Sequence, residues 1–285
     1  MELKNCSMVL EGGAIKGVFT AGALDYLMEK DFYPEYVVGV SAGACNAVDY
    51  VSRQPGRTRD CFITTGKDEK YLKFSNFFHG KPIYDMDLVF DEFPERLHPF
   101  DFDTFYASDM KCEVVVTNCV TGKAEYLTAS KDPKEFMKAC RASSSMPMVS
   151  PIVVLNHRAY MDGGIADSVP LRHAMEKGYE KQIVILTKNA GYRKEPSRLM
   201  YRMCLKKYAR FPKLCEAVRT RYIRYNETME YIERLEREGK IFVLRPRMKA
   251  ISRMEQDHRK TLAFYQDGYD LMKEEYDRMM DYLER

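Results

Sequence analysis

A serine flanked by glycines is the first chemistry legible in this chain. In Val37-Val38-Gly39-Val40-Ser41-Ala42-Gly43-Ala44, β-branched residues lead into Gly-x-Ser-x-Gly and small residues follow. This is the pattern of a strand that turns sharply into a helix and leaves the serine hydroxyl standing out of the turn. Gly39 and Gly43, with Val40 and Ala42 between them and Ser41, suit such a crowded elbow. A serine hydroxyl is a weak nucleophile, so it needs a base within hydrogen-bond reach and donors for a developing oxyanion. Asp162 in Asp162-Gly163-Gly164 is a carboxylate carried by a second special turn, at the end of a predicted strand. The donors are expected from the loop Gly12-Gly13-Ala14-Ile15-Lys16-Gly17, which opens a predicted helix.

That loop admits three readings: phosphate binding, an oxyanion hole, or a turn that merely starts a helix. The phosphate motifs fail on spacing, because Lys16 precedes Gly17 and position 14 is alanine. Its place one βαβ unit before the serine elbow favours the oxyanion hole. The histidines are 79, 98, 157, 173 and 258, and none sits in a glycine-flanked turn at a strand end. A carboxylate can replace histidine as base where its site shifts its pKa towards neutrality. A Ser41/Asp162 dyad is therefore the economical reading. A Ser-His-Asp esterase and a catalytically weak lipid- or anion-binding protein stand as alternatives.

The elements that would position these residues follow from the apolar pattern. Cys6–Leu10 reads as a buried first strand, Val18–Leu27 as a helix and Val37–Val40 as the next strand, a βαβ opening that implies a parallel sheet. Residues 57–109 lose this regularity and are rich in aromatics, notably over 73–80 and 85–105. They read as an insertion that either walls an acyl-binding site or is simply packed core. Strands return over 113–118, 124–128, 152–155, 159–161 and 182–187, with a proline-opened helix after Asp132. Past Gly191 the composition turns basic and helical, with one further strand expected at 241–245 and a long amphipathic stretch over 252–285. Arg198, Arg202 and Lys206 fall on one helical face. Such a stripe can lie on an anionic membrane surface, though more often it is a solvated face.

Composition sets the class. With 285 residues, 45% hydrophobic and 31% charged, the chain is expected to be an ordinary soluble globular protein. A net charge of +3 is too small to argue for nucleic acid, and no apolar run approaches the roughly 20 residues of a membrane span. The first residues lack the apolar core of a signal peptide, and eight scattered cysteines show no zinc or Cys-x-x-Cys spacing. Reduced thiols and a cytoplasmic location are expected, with no metal or cofactor.

Glu11-Gly12-Gly13-Ala14-Ile15-Lys16-Gly17, Gly39-Val40-Ser41-Ala42-Gly43 and Asp162-Gly163-Gly164 occur in the order and spacing of the patatin-like phospholipase family, which this chain resembles. Ala142-Ser143-Ser144-Ser145-Met146-Pro147 also resembles that family's segment before its catalytic aspartate. The likeness spans about residues 6–190, read as the catalytic domain, and continues into a mainly helical extension over 191–285. The resemblance implies a three-layer α/β/α sandwich with a mainly parallel sheet, and a Ser-Asp dyad that hydrolyses acyl esters of lipids. It implies Ser41 as nucleophile, Asp162 as base and the Gly12–Gly17 loop as oxyanion hole, with Lys16 where the family carries Arg or Lys. Ala14 stands where the family has a third glycine. Alanine still donates its N–H, and the loop is unstrained there only if φ is negative.

Overall fold

The computed structural model describes residues 3–64, 66–72 and 83–285; the aromatic run at 73–80 and His79 lie outside the described residues. The chain opens with strand β1 (Lys4–Leu10), helix α1 (Gly17–Glu29), β2 (Pro34–Val40) and helix α2 (Ala42–Val51). Helix α3 (Arg57–Phe62), a wide π-type helix over Leu88–Leu97 and α4 (Phe102–Ala107) lead to β3 (Lys111–Asn118) and β4 (Ala124–Thr128). Helix α5 (Pro133–Ser143), the hairpin β5 (Val153–Leu155) and β6 (Arg158–Asp162), α6 (Leu171–Glu176) and β7 (Lys181–Ile185) follow. The remainder is α7 (Arg198–Lys207), α8 (Pro212–Arg237), β8 (Phe242–Leu244) and α9 (His258–Glu284).

Strands β3, β2, β1, β7 and β8 lie side by side and parallel, with β4 antiparallel on the outer edge of β3. The last five residues of β1 and of β2 are all buried, as continuous apolar strands covered on both faces must be. One apolar layer, including Met8, Leu10, Val37 and Val114, packs under α1, α2, α5 and α9. The other, including Val9, Val38, Val115 and Val184, packs under α6 and α8. The fold is a three-layer α/β/α sandwich with a helical C-terminal region, as the sequence implied. That region is tied into the sandwich: β8 extends the sheet beyond β7, and α9 lies against α1. There a Cβ on Gly22 would come within 2.1 Å of the Tyr265 carbonyl, and one on Gly268 within 2.0 Å of the Phe19 carbonyl. The two backbones therefore approach as closely as only glycine permits.

Candidate active site

Ser41 caps α2 immediately after β2, with φ 56° and ψ −121°. A residue with a Cβ does not adopt this backbone freely; the surroundings impose it. A Cβ at Gly39 would come within 2.1 Å of the Gly43 carbonyl, and one at Gly43 within 2.4 Å of the Leu10 carbonyl. The two glycines thus let the elbow fold on itself and seat it on the end of β1. The Ser41 N–H donates to Ser143 Oγ at 2.9 Å, and that hydroxyl donates to the Val115 carbonyl at 2.6 Å. The serine that ends α5 therefore fastens the elbow to β3.

The sheet register carries Asp162 to the same place. Val40 of β2 pairs with Val115 of β3, and Asp162 of β6 pairs with Val116. Residues 113–115 of β3 pair with both β2 and β4, while 116 and 117 pair with both β4 and β6. Since each residue has one neighbour per side, β2 and β6 must occupy the same side of β3. They run in opposite directions and meet end to end, so the residue following Val40 faces the last residue of β6. A two-residue turn at Asn156 and His157, with φ 48° and 61°, reverses the chain between β5 and β6 and fixes that register.

Asp162 is 3% exposed. Its N–H donates to the Ser145 carbonyl at 2.8 Å, and its Oδ1 accepts from the Gly164 N–H at 2.7 Å. A Cβ on Gly163 would come within 2.1 Å of the Val115 carbonyl, so the turn after Asp162 also presses against β3. Burial pushes the carboxyl above the usual aspartate range, opposed by Arg221, the Ser41 hydroxyl and the Gly164 N–H. A carboxyl raised in this way is closer to the range useful for a general base.

The glycine loop leaves β1 beside the elbow. A Cβ on Gly12 would lie 3.2 Å from Ser41 Cβ and 2.8 Å from the Val40 carbonyl. The N–H groups of Gly12 and Gly13 have no acceptor among the described residues, which leaves them available to an anion at Ser41. Ala14 lines the same pocket as Ser41 and has φ 51°. The third loop position thus does sit in the left-handed region, and its methyl group is strained there. Ile15 turns into the core, and Gly17 packs against Ala42 as α1 begins.

Glu11, 1% exposed, braces this loop from below. Its carboxylate accepts from the Thr187 N–H at 2.6 Å and from Tyr225 Oη at 3.0 Å, and pairs with Lys188 Nζ at 3.2 Å. Burial alone would raise its pKa; Lys188, the Thr187 N–H, Lys194 and Tyr225 outweigh it and hold the group below the usual carboxylate range. One side chain therefore joins the ends of β1 and β7 to α8.

An apolar pocket of about 110 Å³ runs from Ser41 and Ala14 between α2, α5 and the 57–109 insertion. Val48, Phe62, Val89, Phe90, Phe93 and Met137 form much of its wall. The polar residues along it satisfy one another: Asp49 accepts from Arg57 at 2.6 Å and from Thr58 at 2.6 Å. Phe93 is 1% exposed and also lines this pocket.

A family model for patatin-like phospholipase matches residues 8–175, more than half of the sequence. The chain belongs to the patatin-like phospholipase family. A second model, a domain of unknown function designated DUF6363, matches residues 211–284. The uncharacterized protein YjjU of Escherichia coli strain K12 is 28% identical over 186 residues, 64% of this chain and 51% of that protein. The chain thus spans about half the length of this curated relative. The crystal structure of VipD from Legionella pneumophila aligns over 99% of this chain and 67% of that one, at 12% identity and a TM-score of 0.46.

Within this patatin-like chain none of the four described histidines lines the pocket at Ser41. His173 binds Glu113 at 2.6 Å and stacks on Tyr126; His98 stacks edge-on against Phe93. His157 is in the β5–β6 turn and His258 begins α9. Glu11 and Arg221 are the residues that sequence reasoning did not single out. Glu11 was legible as an acid ending an apolar strand, whereas nothing local distinguishes Arg221 from its basic neighbours. No helix among the described residues is long and apolar enough to cross a membrane, and no cluster of three or more metal-ligating side chains occurs among them.

Proposed function

We propose that this chain is a serine acyl hydrolase that cleaves carboxylic esters of lipids, phospholipid or lysophospholipid, through a Ser41–Asp162 dyad. The observation that carries the reading is the end-to-end meeting of β2 and β6, which sets a strained serine against a buried carboxylate at the head of an apolar pocket. The acyl chain lies in that pocket with its ester carbonyl at Ser41. Asp162 takes the hydroxyl proton as Ser41 Oγ attacks, and the N–H groups of the Gly12–Gly17 loop, with α1 behind them, stabilise the oxyanion. Collapse expels the alcohol, which takes the proton from Asp162, and leaves an acyl-enzyme. Asp162 then takes a proton from water, and the hydroxide equivalent releases the fatty acid. No cofactor enters this sequence.

Peripheral contact with an anionic membrane surface is part of the reading. On α7, Arg198, Arg202, Lys206 and Lys207 are exposed together with Leu199 and Leu205, at 70% and 43% exposure. Cations around exposed leucines suit an interfacial helix. A panel of phospholipids, lysophospholipids and simple esters tests the hydrolase. Wild-type turnover with loss of at least 1000-fold in Ser41→Ala, the folded state being retained, is the expected result. Undiminished turnover in that variant would move the nucleophile elsewhere.

A further inference from the structure

The two turns that carry the proposed dyad are both fastened to β3, each through a side-chain hydroxyl. At the elbow, Ser143 Oγ accepts from the Ser41 N–H and donates to the Val115 carbonyl. At the aspartate turn, Thr117 Oγ1 donates to the Asp162 carbonyl at 2.8 Å and accepts from the Ala166 N–H at 3.2 Å. Val115 and Thr117 belong to the same strand, and both hydroxyls are fully buried. The Val115 carbonyl serves the two turns together, because it accepts from Ser143 and is the atom against which Gly163 packs. A further bond joins them: the Asp162 N–H donates to the carbonyl of Ser145, just beyond Ser143.

Both places call for one atom that accepts and donates at once. A hydroxyl does so, whereas a carboxylate only accepts, an ammonium only donates and an amide divides the two roles between two atoms. Packing alone does not account for the hydroxyls. β3 reads Val114-Val115-Val116-Thr117, and another valine would fill much the same volume as Thr117. A buried hydroxyl costs free energy unless it is hydrogen-bonded, so its presence there is explained by what it holds. What it holds is the main chain of the proposed base. With the Asp162 N–H on Ser145, its carbonyl on Thr117 and its Oδ1 on the Gly164 N–H at 2.7 Å, the residue is fixed from three directions. Such fixing matters for attack and proton transfer, since a misplacement of about 1 Å costs on the order of 100-fold in rate.

We propose that Thr117 and Ser143 are positioning residues, which hold Asp162 and Ser41 at reacting separation by tying both to β3. Neither lines the pocket at Ser41, so each acts through the residue it holds. This rests on the dyad reading above, which names the two residues being held. Burial pushes the Asp162 carboxyl up, and Arg221 and the Ser41 hydroxyl oppose it. A carboxyl that drifts from Ser41 loses part of that opposition and titrates higher. Loss of the Thr117 hydroxyl therefore moves the acid limb of kcat/KM to higher pH.

Thr117→Val keeps the shape and removes the hydroxyl, while Thr117→Ser keeps the hydroxyl. The rate of phosphonylation by a fluorophosphonate, followed by intact mass, reads the dyad without a choice of lipid. Labelling is expected to be at least about tenfold slower in Thr117→Val, with most of the rate recovered in Thr117→Ser. Adding Thr117→Val to an Asp162→Asn chain should slow it by less than about twofold, because the hydroxyl acts through that carboxylate. Wild-type speed in Thr117→Val, no recovery in Thr117→Ser, or an equally large further loss in the Asp162→Asn chain overturns the role. So does an acid limb that stays in place when Thr117→Val turns over an uncharged ester. Ser143→Ala tests the other brace and serves even if Thr117→Val does not fold: labelling about tenfold slower is expected, and a full rate overturns that brace. Equal labelling of wild type and Asp162→Asn refutes the dyad itself. Slow labelling of Asp162→Asn beside a full rate in Thr117→Val and Ser143→Ala overturns the positioning role and leaves the dyad standing.

Discussion

Ser41 and Ala14 both hold left-handed backbone, at φ 56° and 51°, and line one pocket. At Ser41 the conformation belongs to the turn from β2 into α2. At Ala14 the methyl group contributes only strain, about 1–2 kcal/mol for a left-handed residue with a Cβ. Glycine removes that strain but adds about 0.4–1 kcal/mol of unfolded-state entropy. Ala14→Gly should therefore stabilise the fold by roughly 0.5–1 kcal/mol, read from the denaturant midpoint at constant slope; a lower midpoint would show that the methyl group makes a compensating contact. Asp162 gives a pH prediction. Its folded pKa is raised by burial, and only its ionised form can take the Ser41 proton. kcat/KM on an uncharged ester should thus climb through an acid limb lying above the ordinary aspartate range and then level off. In stability the sign is opposite. A raised carboxyl contributes most below its unfolded pKa, and that contribution is lost as pH rises through the folded value. Asp162→Asn should then be inactive yet gain stability over wild type as pH rises from 4 to 7; a gap that narrows instead would contradict the raised pKa.

Strand register and helix contact decide what those residues meet. The meeting of β2 with β6 was only half legible beforehand. Gly39–Gly43 and Asp162–Gly164 announced two special turns through their glycines, because local crowding leaves a local trace. That both abut one side of β3 depends on pairing between residues about 45 apart, for which no local pattern exists. The basic stretch after Gly191 reads in sequence as a single cationic face, but it folds as α7 and the long α8, broken near Pro212. Only this packing delivers Arg221 to Gly164. The contact of α1 with α9 was equally unreadable, since Gly22 and Gly268 look like weak points within helical periods. Gly268→Ala should push α9 off α1 and cost about 1–3 kcal/mol, as overpacking does. Chemical denaturation measures it, and a neutral effect would mean that the helices part without loss.

Across the molecule, the sheet's C-terminal edge separates an apolar pocket, walled by α2, α5 and the insertion, from a polar side built by β1, β7 and the extension. An amphipathic ester matches that division, with its acyl chain on one side and its alcohol portion on the other. The two sides meet at Ser41. Intact mass after exposure to a fluorophosphonate tests that claim most directly. One added phosphonyl group per chain is expected, mapped to Ser41, absent in Ser41→Ala and formed at least about 100-fold more slowly in Asp162→Asn, where the proposed general base is lost. A chain that stays unmodified, or is labelled equally fast without Asp162, would contradict it.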